Sequence, residues 1–130
     1  MNRRDYLAAL LRLYREQPDT PDVPRRGDWA VAADLYRRGV PLDTVAHAIR
    51  LATLRRLQRD PTAPPLAPIR SLAYYRSVLA ALAPNDLEPS YVAYVARQHA
   101  HRLDQLSTSP GPADSKARFD RQNPALPDRR

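Results

Sequence analysis

No cysteine occurs in the chain, which excludes disulfides and thiolate metal sites and fits a reducing compartment. Only three glycines are present, and nowhere do polar and apolar residues alternate regularly, which argues against a β-rich fold. No apolar run approaches the ~18 residues that a membrane span requires. The opening residues place Arg3 and Arg4 ahead of apolar positions, as a signal peptide would. However, Asp5, Arg12, Arg15 and Glu16 interrupt them, and no small-residue cleavage site follows. They read as a helix of the mature protein, and the chain is expected in the cytoplasm with no membrane partner.

Motifs of catalysis are missing as well. There is no Gly-rich phosphate loop, no nucleophile elbow and no metalloprotease motif. The carboxylates are few and scattered. Of the three histidines, His47 lies on the weaker face of its helix, and His99 falls where satisfied core histidines are usual. His99 and His101 stand two apart on a helix and do not converge on one metal. The expectation is a non-enzymatic protein with no metal and no cofactor.

What is present is helix. Apolar residues make up 43% of the chain, and Ala, Leu and Arg dominate, all good helix formers. The fourteen prolines fall almost wholly between the periodic segments. The organising stretch is Pro41 to Leu82, two apolar helices joined by a proline-rich elbow over 60–68. In the first, Leu42, Val45, Ala46, Ile49, Ala52 and Thr53 share one face, while Leu51, Leu54 and Leu57 lie away from it. A helix apolar on two sides needs neighbours on two sides. The second runs from about Ile69 to Leu82, with Arg70 in its first turn.

Around this hairpin the spacing predicts three further helices. The first covers Arg3 to Glu16. Another starts with Asp28 as N-cap, ends at Gly39, and has Trp29, Ala32, Ala33, Leu35 and Tyr36 as its apolar side. The last runs from about Glu88 to Leu106 with Val92, Val95, Ala96, His99, Leu103 and Leu106 inside. The fold class is all-α, a compact bundle of about five helices over residues 1–106. Residues 107–130 have no periodicity and much Pro, Ser, Asp and Arg, the composition of a disordered tail.

Charge is uneven. The net charge is +7, with twenty arginines and one lysine. Residues 25–60 hold eight arginines against four aspartates. A basic excess points to an anionic partner, most often nucleic acid, and each arginine fork matches phosphate oxygens. Arg37, Arg38, Arg55, Arg56, Arg59 and Arg70 are the candidate contacts. The competing reading is a solvated face with arginine stems lying on the core, in a chain whose Ala, Pro and Arg bias reflects a GC-rich genome. A cation in a helix's first turn opposes the dipole, so Arg70 needs a partner, either Asp34 or Asp43 or an external anion. The stripe Tyr91, Tyr94, Gln98 and His101 is amphipathic and low in charge. It is either a partner surface or a face covered by the first helix.

Gly39-Val40-Pro41-Leu42-Asp43-Thr44-Val45 through Ala48-Ile49, then the elbow and Ile69-Arg70-Ser71-Leu72-Ala73-Tyr74-Tyr75, resembles small helical proteins encoded beside recombinase and replication genes on bacterial mobile elements. More distantly this region is similar to the C-terminal helical modules of DnaD-like and plasmid replication-initiator proteins. Tyr74 and Val78 match the tyrosine and aliphatic positions of that module, while Leu82 stands near the place of its tryptophan. The resemblance covers about residues 28–82. It implies a replication or recombination accessory factor that touches nucleic acid, DNA ahead of RNA, or works with a replication or recombination protein. Without that implication, the alternative is a protein-interaction module docking through a helical surface.

Overall fold

Asn2 opens the first helix by accepting the Asp5 N–H on its side-chain oxygen at 2.8 Å. The helix, α1, is Arg3–Arg15, with Asp5 in its first turn and Arg12 and Arg15 in its last, as the dipole favours. Tyr6, Leu7, Leu10, Leu11 and Tyr14 are buried on one side. Pro18 and Pro21 prevent continuation, and the Gln17 side chain turns back to donate to the Leu13 carbonyl at 2.8 Å. The structure is a computed structural model that describes residues 1–108, so the tail expected from sequence lies, but for its first two residues, outside the described residues.

Helix α2 is Arg26–Arg37 and begins earlier than the sequence indicates. Asp28 is its third residue, not its N-cap. Its carboxylate accepts the Arg25 N–H at 2.8 Å and the Leu72 N–H at 2.8 Å. One buried acid therefore closes the start of α2 and anchors a segment 44 positions away. The buried face also differs from expectation, because Asp28 itself faces inward. Val31, Ala32 and Leu35 are buried, whereas Trp29 is 48% exposed. The end is as expected: Gly39 has φ 76°, its N–H bonds the Tyr36 carbonyl, and the Val40 N–H bonds the Leu35 carbonyl. That is a Schellman stop, which needs the left-handed residue at Gly39.

Helix α3, Leu42–Leu57, is the centre. Nine of its residues are buried on both sides, from Val45 to Leu54. One side joins α1, α2, Ile69, Leu72 and Tyr75 in the main core, and Leu51 and Leu54 meet Val95 in a second cluster. Its neighbours are α1, α4 and α5.

The fourth helix is much shorter than the spacing indicates. A 3₁₀ turn covers Leu72–Tyr74, and α4 is only Tyr75–Ala80. Ile69, Arg70 and Ser71 are not helical, and Ser71 has extended backbone. The reason lies in their hydrogen bonds. The Ile69 N–H goes to the Asp19 carbonyl at 2.9 Å, and the Leu72 N–H goes to Asp28. The Leu72 N–H would close the first turn of a helix from Ile69 on the Pro68 carbonyl, so with that donor taken by Asp28 the turn is not closed, while the Ile69 bond ties the segment to Asp19. Arg70 thus opposes no dipole and needs neither Asp34 nor Asp43.

After a 3₁₀ turn over Pro84–Leu87, α5 runs Pro89–Thr108, two residues past the expected end. It packs on α3 and on that turn. Its expected inner face is found, with Val95 and His99 buried and Val92, Ala96, Leu103 and Leu106 partly so. Among the described residues there is no strand, and no helix is long and apolar enough to cross a membrane.

Candidate nucleic-acid interface around the proline elbow

The elbow is built in two parts. Asp60 starts a turn in which its carbonyl accepts the Ala63 N–H at 2.9 Å and its side chain accepts the Thr62 N–H at 2.9 Å and hydroxyl at 2.8 Å. Pro61 occupies the position where its fixed φ suits such a turn. Those bonds hold the exposed Asp60 carboxyl below the usual carboxylate range. From Pro64 onward the chain is extended and returns to α3. Arg59 donates to the Pro64 carbonyl at 2.7 Å and Arg56 to the Ala67 carbonyl at 3.0 Å.

Beneath the elbow lies a groove of about 400 Å³ between Pro18, Asp19 and the end of α3. Arg56, Arg59, Asp19 and Asp60 supply its charges, and Leu57, Pro64, Pro65 and Leu66 supply apolar wall. Asp19 has φ 64°, a left-handed conformation that aspartate tolerates better than most residues. It is held there from both ends, its carbonyl by Ile69 and its carboxylate by Arg56 at 3.3 Å. The sequence reading did not single out Asp19. The signal was Pro18-Asp19-Thr20-Pro21, a string that favours a turn.

The six candidate arginines divide into three groups. Arg37 and Arg38 are exposed at the end of α2 and share one acid: Arg37 pairs with Asp34, and Arg38 Nε lies 3.0 Å from it. Arg56 turns inward. Its side chain is only 12% exposed and holds Asp19, the Ala67 carbonyl and, at 3.4 Å, the Tyr74 hydroxyl, while its guanidinium sits 5.7 Å over the Tyr74 ring. It is a structural residue. Burial works against its charge, but the Tyr74 and Asp19 contacts outweigh that and keep it firmly cationic. Arg55, Arg59 and Arg70 point to solvent around the elbow. Arg59 stands at the start of the elbow, Arg70 at its end, and Arg55 one helical turn before Arg59. Arg102 of α5 adds a fourth cation at this end by donating to the Leu57 carbonyl at 3.3 Å.

The aromatic stripe of α5 is only partly outward, since Tyr91 packs against the Leu51, Leu54 and Val95 cluster. Tyr91 and Tyr94 stack, with ring centroids 6.4 Å apart and planes at 22°. Tyr94 is 49% exposed, His101 is exposed, and Tyr91 and Gln98 are half-buried. Helix α1 packs on α2 and α3. Tyr91 closes edge-on over His47 at 5.8 Å.

Behind the groove, Gln17 gathers three segments. Its Oε1 accepts the Thr53 hydroxyl at 2.7 Å and lies 2.7 Å from His99 Nε2. Since that oxygen can only accept, His99 must carry its proton on Nε2. Burial, and then Arg50, lowers the His99 pKa to about 4, so the ring is neutral at pH 7. This is the satisfied core histidine expected from sequence. Among the described residues no group of His, Cys, Asp and Glu is placed to hold a metal. Comparison with protein families, with curated proteins and with solved structures returns no match.

Proposed function

We propose that the chain is a non-enzymatic accessory module of DNA transactions that meets phosphate through Arg55, Arg59 and Arg70. One observation carries this reading. Arg55 and Arg70 are exposed and have no hydrogen bond or ion pair among the described residues, while Arg59 binds only the Pro64 carbonyl. Three guanidinium forks with free donors thus flank one elbow along a chain of net charge +7. Phosphate contacts of this kind release counterions and read no bases, so the binding is salt-sensitive and tolerant of sequence. Arg56 does not belong to this set; its role is to hold the elbow from which Arg59 and Arg70 project. The resemblance to helical proteins of mobile elements supports DNA as the polyanion and replication or recombination in the cytoplasm as the setting.

The test is a titration of labelled duplex and single-stranded DNA at two salt concentrations. Binding in the micromolar range or weaker, falling steeply with salt, supports the reading. If no binding is seen at about 50 mM salt, the arginines are a solvated face. The protein-docking alternative then leads, and the half-exposed Tyr94, stacked on Tyr91, names the surface to mutate with Gln98 and His101.

A further inference from the structure

Pro64, Pro65, Leu66, Ala67 and Pro68 are all exposed, Leu66 at 42%, and Ile69 takes the chain back into the core at 4%. A period of three belongs to the left-handed polyproline helix, not to a strand or an α-helix. The elbow's hydrogen bonds follow that period. The two carbonyls that meet the arginines of α3 belong to Pro64 and Ala67, three residues apart, as one edge of a three-fold helix requires. Chemistry dictates the same conformation: Pro64, Pro65 and Pro68 fix their own φ, and each restricts the residue before it to extended backbone.

We infer that Pro64–Arg70 is a preformed polyproline ridge, read by a partner domain that has an aromatic-lined groove and an acidic pocket beside it. Pro65 and Pro68 lie three apart and both are exposed, Pro65 at the rim of the groove, the spacing at which two prolines fill adjacent aromatic slots. Arg70 follows two residues later, exposed and without a partner among the described residues, where a carboxylate of the other domain can take its fork. The inner edge needs no partner, because Ile69 is in the core and its N–H is bonded to Asp19. Arg56 and Arg59 fix the ridge in advance, so docking orders little new chain. This surface goes beyond phosphate binding: the prolines carry no charge.

The probe is a purified SH3 domain that selects a proline pair followed by a basic residue, titrated against the whole chain and monitored by its groove tryptophan fluorescence. The intact chain is expected to bind, and Pro65→Ala/Pro68→Ala to weaken binding by about tenfold or more. Arg70→Glu should weaken it similarly and remove its salt dependence. Because the proline variant keeps every charge, its DNA affinity should not change, which separates this surface from phosphate binding. If the chain leaves the probe's fluorescence unchanged while a free peptide of residues 61–72 alters it, the ridge is not presented as inferred. Equal binding by the wild type and the proline variant also overturns the proposal, as does the absence of binding by both chain and peptide.

Discussion

Ile49 and His99 show what single residues do for this fold. Ile49 is fully buried at the middle of α3, among residues of α1 and the segment after the elbow. Replacement by Ala leaves a cavity that helices anchored at both ends cannot collapse, so Ile49→Ala should cost about 2–5 kcal/mol. Chemical denaturation measures this, and a loss below about half a kilocalorie per mole would remove α3 from the centre of the core. His99 makes a prediction about pH. Its pKa falls from an ordinary 6.5 to about 4 in the fold. The unfolded chain therefore binds a proton that the folded chain refuses between those values. Stability is fully present above about pH 6.5 and falls as the pH drops toward 4, by up to about 3 kcal/mol. His99→Gln can still donate to Gln17 but cannot titrate, so its stability should be flatter across that window. A variant with the wild-type slope would locate the pH dependence elsewhere.

At the scale of elements, the elbow is the part that separates sequence from structure. Periodicity alone revealed α1, α3 and α5, because each carries a continuous apolar face with no competing use for its backbone donors. The Gly39 stop was equally legible, since only a left-handed residue ends α2 in that way. Helix α4 was overestimated because Ile69 and Leu72 satisfy the helical spacing and the three-fold spacing alike. What decides between them is two long-range acceptors, Asp19 and Asp28, which the local pattern does not contain. Trp29 was misplaced for a related reason: Asp28 serves inside the first turn of a helix that starts three residues early, and its burial against Leu72 leaves the neighbouring indole facing outward. Arg55-Arg56 looked like one feature and is two, because neighbours on a helix point about 100° apart. The inward member predicts a structural effect. Arg56→Ala should lower stability by about 1–3 kcal/mol, since it frees the elbow and leaves partners unbonded. Arg56→Lys should recover little of this, because an ammonium cannot reproduce the fork that spans Asp19 and Ala67. Full recovery in denaturant titrations would mean that charge alone fastens the elbow.

For the whole molecule, two interiors and one charged rim share the work. The main core and the smaller Leu51, Leu54 and Val95 cluster lie on opposite sides of α3, with the Gln17 network joining α1's end to both α3 and α5. This leaves the end of α3 and the elbow as a fixed platform, and the free arginines stand on it. The claim that this rim meets nucleic-acid phosphate is tested most directly by the salt dependence of DNA binding in two variants. Plotted as log affinity against log salt, Arg55→Ala/Arg59→Ala/Arg70→Ala should be shallower than the wild type by about one unit per lost contact. Arg37→Ala/Arg38→Ala removes a pair already shared with Asp34 and should change the slope less. A triple variant that keeps both the wild-type slope and the wild-type affinity would contradict the account.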